Sequence, residues 1–459
     1  ADIRNAFIQA PSSERHYSVC GEEFGEHKGK RALIKRALYG GKRAGRDFWL
    51  HLRSCMRHLK FHCCKGDPDV WMRKAMKPDG SKYWEYILLY TDDVLCVSHR
   101  GEEVVRNEIG RYFKLKEKSI GPPSQYLGGK LRQVKLESGV EAWAFGSSQY
   151  VQEAVKNVEQ KLHKMQARLP KRCDAPFKTG YRPETDVSDE LNAIDTAYYQ
   201  SCIGILCWVV ELGRCDICAE VSMLASCLAL PRVGHLGQVY QIFGYLKAHH
   251  NAEMVFDPSN PDIDSEEFKK QEWIGTVYGE DLSEDLPPDA PKPRGIGMRM
   301  RVYVDSDHAG DVVSRKSRTG FLVFLQNAPI YWCSKKQGGI ETSSFGAEFI
   351  AMKTACEYVC GLRYKLRMMG IDLMCEPTFI YGDNQSVLCN TTLPDSKLKK
   401  KSNSVAYHYV REGVARDEWR TTYISTHDNP ADILTKAVPA GQDRRGKVRS
   451  VLYHIYDDH

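Results

Sequence analysis

The sequence predicts a chain of mixed class, α+β in its first part and α/β in its last, built from more than one domain. Three observations carry this expectation. The chain has 459 residues, more than a single domain usually holds. Its apolar residues switch between alternating and helical spacing. One stretch, 257–295, loses both periodicities and fills with acids and prolines.

The elements follow in order. Residues 1–135 mix strands and helices. Their clearest feature is Ile87-Leu88-Leu89-Tyr90 and Val94-Leu95-Cys96-Val97, two apolar runs separated only by Thr91-Asp92-Asp93. Runs this close predict a tight β-hairpin with acids at its tip. Residues 136–256 read as mainly helical: Tyr199–Leu230 is rich in apolar and small residues, and Gln238–Lys247 repeats apolar positions at helical spacing. Residues 257–295 carry Asp262, Asp264, Glu266, Glu267, Glu280, Asp281, Glu284, Asp285 and Asp289 with Pro287, Pro288, Pro291 and Pro293. That composition predicts a solvated acidic linker.

A new domain, 296–459, follows the linker. Met298, Met300, Val302 and Val304 alternate with Arg299, Arg301 and Tyr303, a half-buried strand ending at Asp305. Phe321–Leu325 and Ile330–Cys333 form a hairpin around Gln326-Asn327. Ser343-Ser344 cap a long helix with Phe349, Met352, Val359, Leu362, Leu366 and Met369 as its buried stripe, and Gly370 stops it. Thr378–Tyr381 is a strand leading to Asp383, Val405–Ala415 a helix, Trp419–Ser425 a strand, and Ala431–Thr435 opens the last helix. The expected order is three strands, helix, strand, helix, strand, helix.

Charge and cysteine narrow the class. The net charge is only +6, but cations cluster at Lys28, Lys30, Arg31, Lys35, Arg36, Lys42, Arg43 and Arg46, and again at Lys397, Lys399, Lys400 and Lys401. Such clusters suit a phosphate backbone, although a solvated face has the same composition. No uncharged apolar run reaches about eighteen residues, so no membrane partner is expected. The sixteen cysteines show no disulfide framework, and Cys215 with Cys218 lacks a second pair at zinc spacing. A reducing compartment fits. The start, Ala1-Asp2-Ile3-Arg4, reads as mid-strand, so a longer polyprotein is expected upstream.

Two acid sets carry chemistry. Asp92 and Asp93, adjacent between apolar strands, repel each other, and burial would raise their pKa values unless cations compensate. A hard divalent ion resolves that conflict. Two ions about 4 Å apart could then serve the attacking and leaving oxygens of a phosphoryl transfer. The second set lies at strand ends and helix starts: Asp305, Glu348 in the first turn of the capped helix, Asp383 and Asp432. Converging on one sheet edge, these four carboxylates would bind two metals and direct water onto a phosphodiester. Asp307 is a neighbour of Asp305 with a supporting role at most.

The motifs around these acids resemble the reverse transcriptase–ribonuclease H part of a copia-type LTR retrotransposon Pol polyprotein. Tyr90-Thr91-Asp92-Asp93 is similar to the YxDD signature, and Ala1-Asp2-Ile3-Arg4-Asn5-Ala6-Phe7 to the motif supplying a first catalytic aspartate, Asp2. Ala37-Leu38-Tyr39-Gly40, Asp67-Pro68 and Tyr126-Leu127-Gly128 follow in the family's order. Tyr303-Val304-Asp305-Ser306-Asp307-His308-Ala309-Gly310, Gly346-Ala347-Glu348-Phe349, Tyr381-Gly382-Asp383-Asn384 and Ala431-Asp432-Ile433-Leu434-Thr435-Lys436 resemble the ribonuclease H motifs, as do Trp332–Gln337 and Tyr407-His408.

The resemblance implies a reverse-transcriptase palm with a βαββ-type sheet over 1–135, with the fingers upstream of Ala1. It implies a helical thumb and connection over 136–256, the linker, and a ribonuclease H-like domain over 296–459. Asp2, Asp92 and Asp93 would bind the polymerase metals, and Asp305, Glu348, Asp383 and Asp432 those of the nuclease, two Mg²⁺ (or Mn²⁺) per site. Tyr39, Lys42 and Arg43 would lie near the nucleotide, although Arg43 stands where a Gln is common and Gly45 where a Pro is. His427 would assist proton transfer or product release, or stand by on a polar loop. His408 would pack or touch substrate.

The implied partners are an RNA template, a primer, dNTPs, an RNA–DNA hybrid and the upstream polyprotein, within cytoplasmic virus-like particles and later the nucleus. Oligomeric state is open. Because the fingers would precede Ala1, residues 1–459 alone are expected to extend a primer poorly. Two alternatives stand beside this reading: a chain with only the nuclease activity, and a decayed or co-opted copy that binds nucleic acid without chemistry.

Overall fold

The computed structural model describes every residue except Ser265, Glu280, Asp281, Lys399, Asp458 and His459. The chain forms two units. The first comprises Ala1–Pro123, Leu286–Gly297 and Arg363–Asp372, and the second Ser124–Asp285, Met298–Leu362 and Leu373–His459. Both mix helices and strands, as the sequence predicts.

In the first unit the expected hairpin belongs to a four-stranded antiparallel sheet, His62–Cys63, Val70–Met76, Lys82–Tyr90 and Asp93–Val97 in that spatial order. Tyr90 pairs directly with Asp93. The turn is therefore Thr91-Asp92, with Thr91 at φ +54°. The N-terminal residues extend the sheet beyond Asp93–Val97: Asp2 bridges Asp93, Ile3 N donates to Asp92 O at 2.9 Å and Val94 N to Ala1 O at 2.7 Å. Helix Ala44–His58 turns Phe48, Leu52, Cys55 and Met56 into a core with Trp71, Ile87 and Phe113. Fully burying each large apolar side chain contributes roughly 1.5–3 kcal/mol, and this core fixes the sheet that carries the acids.

The second unit contains a five-stranded sheet, ordered Ala328–Lys336, Arg318–Leu325, Met300–Asp307, Thr378–Gly382, Trp419–Tyr423. The first three strands are antiparallel, and the last two run parallel to Met300–Asp307. Tyr303 lies opposite Tyr381. Two residues further along both parallel strands stand Asp305 and Asp383, so the register itself brings them to one edge.

Helices Ser148–Lys164, Ala193–Glu211, Cys218–Ala225 and Val233–Ala248 share one core with this sheet. Tyr199, Leu206, Leu224 and Phe243 belong to the same buried cluster as Leu322, Phe324 and Leu434. Ala193–Glu211 is long and apolar enough to cross a bilayer by length and composition, but its Tyr199, Cys202, Ile203, Leu206, Val209 and Val210 are buried in this core.

Several elements differ from expectation. Residues 136–256 also supply strands Glu141–Gly146 and Glu253–Phe256 to a further four-stranded sheet with Gln125–Tyr126 and Gly129–Lys135. An extra helix, Gln385–Thr392, precedes Ser404–Ala415. Asn384 caps it by accepting from Val387 N. Ala431–Thr435 does not open a long helix: Pro430–Leu434 is a single 3₁₀ stretch, and the last helix is Gln442–Arg449.

The stretch 257–295 contains no helix or strand among the described residues, yet it is not simply solvated. Phe268 and Trp273 are 1% and 3% exposed. The Phe268 ring lies 5.0 Å from Phe379 and 5.1 Å from Tyr381, and the Arg411 guanidinium sits 4.6 Å over Trp273. Two aromatic residues thus pin down a segment whose acids and prolines argue for solvent.

Candidate active site

Asp305, Glu348 and Asp383 come from three different elements, and each places one carboxylate oxygen within 4.8 Å of the other two. Asp305 sits on the central strand opposite Gly320. A Cβ at Gly320 would lie 2.6 Å from Thr435 Cγ2 and 2.9 Å from Leu434 Cβ. Glycine there lets the 430–434 turn press against the strand and deliver Thr435, whose hydroxyl donates to Asp305 Oδ2. Glu348 lies just past the first turn of Ser344–Met368 rather than within it. Ser343 caps that helix, its hydroxyl accepting from Gly346 N at 3.2 Å. Asp383 follows Thr378–Gly382 and accepts from the Thr426 hydroxyl at 2.8 Å.

Three acids this close cannot all ionise freely. Burial, reinforced by the charges on Asp383 and Asp432, pushes Asp305 up to about 7 against the hydrogen bond from Thr435. Burial, then Asp305 and Asp383, push Glu348 well above the usual carboxylate range.

Asp432 is near enough to act on Asp305 electrostatically, yet it stands apart from the triad. It is 2% exposed, accepts from Lys447 Nζ at 2.8 Å and pairs with Lys436. The fourth acid is thus paired with two lysines, an arrangement the sequence did not reveal. Lys436 follows it by one helical turn's spacing, but Lys447 arrives on a separate helix. His427 is exposed on the loop before Asp432 and lines a cavity with Asp307 and Asp432. His408 accepts or donates at 3.1 Å to Tyr278 and lies outside the acid triad.

In the first unit the backbone bridge sets Asp2 beside Asp93, with Asp92 adjacent on the turn. Burial, then the charges of Asp2 and Asp92, raise Asp93 above the usual carboxylate range. Asp2 Oδ1 is buried without a hydrogen-bond partner among the described residues, while its other oxygen accepts from Lys116 Nζ at 2.5 Å. Ser119 Oγ accepts from Asp2 N at 2.8 Å. Lys116 and Ser119 carry no motif and were not legible as site residues. Tyr39 stacks on Phe7 at 4.6 Å and 23° in the short helix following Asp2. Lys42 and Arg43 are exposed before helix Ala44–His58. Cys215 and Cys218 are buried free thiols, outside any metal-ligand grouping among the described residues.

No protein-family model matches the chain. Over 447 residues it is 25% identical to the retrovirus-related Pol polyprotein from transposon TNT 1-94 of Nicotiana tabacum, covering 95% of this chain and 29% of that protein. The chain is related to retrotransposon Pol polyproteins. A second Pol polyprotein, from transposon RE1 of Arabidopsis thaliana, is 24% identical over 445 residues, covering 95% of this chain and 26% of its own length. The chain therefore spans less than a third of the Pol relatives it matches. Among solved structures, a foamy viral protease–reverse transcriptase in complex with double-stranded DNA aligns over 93% of this chain and 56% of its own, at 12% identity and a TM-score of 0.46. Ribonuclease H1 of Halobacterium salinarum aligns over 30% of this chain and 94% of its own, at 18% identity and a TM-score of 0.24.

Proposed function

We propose that this chain is the reverse transcriptase–ribonuclease H part of a retrotransposon Pol polyprotein, acting on nucleic acid through two separate acid sites. Asp305, Glu348 and Asp383, with Asp432 beside them, serve hydrolysis of the RNA strand of an RNA–DNA hybrid. Asp2, Asp92 and Asp93 serve RNA-directed DNA synthesis on an RNA template and primer with dNTPs. In this reading 1–135 is the palm, 136–256 the thumb and connection, 257–295 an acidic, proline-containing linker, and 296–459 the ribonuclease H-like domain.

The observation that carries the reading is the meeting of Asp305, Glu348 and Asp383 within 4.8 Å. A phosphodiester is anionic and would be repelled by three bare carboxylates. A purely oxygen donor set suits Mg²⁺ or Mn²⁺. The fit is supported by Asp305 and Glu348, whose pKa values burial and neighbouring acids raise where a counter-charge is missing, and in the first unit by the partnerless Oδ1 of Asp2 among the described residues. When bound, such ions neutralise charge at the phosphate and acidify a water.

The chain's own residues prepare the site. Thr435 and Thr426 fix one oxygen each of Asp305 and Asp383, leaving the other free to face substrate. Lys436 and Lys447 pair with Asp432 beside them. His427, exposed on its loop, can exchange a proton with solvent as product leaves. In the first unit Lys116 pairs with one oxygen of Asp2, and Tyr39, Lys42 and Arg43 offer a ring and two cations to a nucleotide triphosphate.

The test is cleavage of an RNA-labelled RNA–DNA hybrid by the purified chain. We expect cleavage with Mg²⁺, none with EDTA, and a loss of about 100-fold or more on Asp383→Asn. A variant that cleaves at the parental rate would remove the nuclease assignment. Primer extension lost on Asp93→Asn, with hybrid cleavage retained, tests the polymerase assignment separately.

A further inference from the structure

Beside the acid triad, within the second unit, lies a cavity of about 740 Å³. Its walls come partly from outside the five-stranded domain: Phe177 and Tyr181 from the segment after Ser148–Lys164, and Met223 from helix Cys218–Ala225. None of Asp305, Glu348 and Asp383 lines it. The volume falls in the range of small-molecule sites, roughly 300–1,000 Å³.

Charge pairing inside the cavity is incomplete. Lys336 is paired with Asp311, Lys436 and Lys447 with Asp432, and Arg182 approaches Glu184 at 3.7 Å. Three lining cations are left: Lys178, Lys316 and Arg318 have no carboxylate at ion-pair distance among the described residues. Arg318 is the informative one. It is only 7% exposed, and its Nη1 donates to neutral partners, Ser222 Oγ at 2.8 Å and Ser334 Oγ at 3.3 Å. Asp307 faces it across the strands without forming an ion pair, and it too lines the cavity. A buried guanidinium is costly to leave without a counter-charge. Burial accordingly lowers its pKa, although nearby Cys218, Asp307 and Asp311 oppose the shift.

We propose that this cavity binds a phosphate-bearing nucleotide. The phosphate would meet Arg318, Lys316 and Lys178, since a planar guanidinium offers two parallel donors to phosphate oxygens. The base would lie along Phe177, Tyr181 and Met223, and Asp307 would accept from an amino or hydroxyl group. Two sources share this chemistry: a free nucleotide, and the 5′-phosphorylated end of a strand. The choice of ligand rests on the nucleic-acid reading above, but the site needs neither the triad nor its metal.

Calorimetric titration of the full chain in EDTA tests the site without metal or cleavage. The probes are the 5′-phosphorylated dinucleotide pdApdA, its unphosphorylated form dApdA, and dAMP. We expect pdApdA to bind at least about tenfold more tightly than dApdA. Lys178→Ala, at an exposed position, should weaken pdApdA by about three- to tenfold. Arg318→Gln should abolish binding, and Arg318→Lys should restore part of it. Tight binding of dAMP identifies a free nucleotide as sufficient, whereas tight binding of pdApdA alone identifies a strand end. Equal binding of pdApdA and dApdA, absence of binding, or indifference to Lys178→Ala overturns the proposal. Binding without Mg²⁺-dependent hybrid cleavage would defeat only the nuclease reading, and cleavage without binding only this site.

Discussion

Lys447 is 6% exposed, and its ammonium reaches Asp432 at 2.8 Å. Replacing it with methionine keeps the volume and leaves Asp432 with Lys436 alone. Breaking a buried pair from one side costs on the order of 3 kcal/mol, so Lys447→Met should lower the unfolding free energy extrapolated from urea denaturation by that much and slow hybrid cleavage. Unchanged stability would show that Lys436 suffices. The acids themselves were legible because short motifs surround them. Their cations were not, because Lys447 reaches Asp432 only after Arg444 has docked the last helix on Asp216 O at 2.5 Å and Val438 O at 3.3 Å. No local pattern announces such a contact. Gly320 is a similar case: a bare glycine in an apolar strand, it becomes meaningful once Thr435 and Leu434 are seen pressing on it. Gly320→Ala should overpack this contact, destabilise the chain by about 1–3 kcal/mol and reduce cleavage, read by thermal melt and hybrid assay together.

At the scale of elements, the strands of the five-stranded sheet were legible, whereas strands Glu141–Gly146 and Glu253–Phe256 and the short polar helix after Asp383 were not. Alternation located Met300–Asp307, because one of its faces must be apolar, and the apolar runs Phe321–Leu325 and Ile330–Cys333 on either side of Gln326-Asn327 located the hairpin formed by Arg318–Leu325 and Ala328–Lys336. Gln385–Thr392 offers Gln, Ser, Asn and two Thr among its eight residues, which weakens its helical periodicity; the Asn384 cap forms it. The strap over 257–295 was obscured by its composition. Its hold on the five-stranded sheet rests on Phe268, buried between Phe379 and Tyr381, and on backbone carbonyls that accept from the sheet: Phe268 O from Arg420 at 3.2 Å and Glu267 O from Thr422 at 3.0 Å. Truncating a buried phenylalanine typically costs 3–5 kcal/mol, about 4 at the centre of that range. Phe268→Ala should accordingly release the strap, with amide exchange accelerating across 266–278 while the acid hairpin at 88–95 stays protected. Uniform acceleration across both would indicate that the strap has no local role.

For the whole molecule, the boundary drawn at 257–295 hides a shared core, because residues as distant as Tyr199 and Leu434 meet in one cluster and sequence spacing says nothing about such meetings. That core also sets a pH response. Glu220 is fully buried there; burial pushes it up to about 7 in spite of Arg444. Asp305 is likewise raised to about 7, first by burial, and Glu348 is raised too. An acid with a raised folded pKa stabilises fully below its unfolded value and loses that contribution as pH climbs through the folded one. Depressed acids such as Asp311, at about 2, change charge far below this window. His249 and His62, lowered by burial, oppose the trend only below about pH 6.5. Between pH 6 and 8 a group with pKa near 7 therefore loses about 1.4 kcal/mol of stabilisation. In EDTA the chain should melt at progressively lower temperature over that range. Mg²⁺ should recover the Asp305 and Glu348 share at pH 8, because binding the folded state opposes unfolding. It should leave the Glu220 share untouched, whereas Glu220→Gln should remove that share and flatten the curve with or without metal. A melting temperature that rises from pH 6 to 8 in EDTA would mean that these carboxyls are ionised in the folded chain, and that the buried cations outweigh burial at both places.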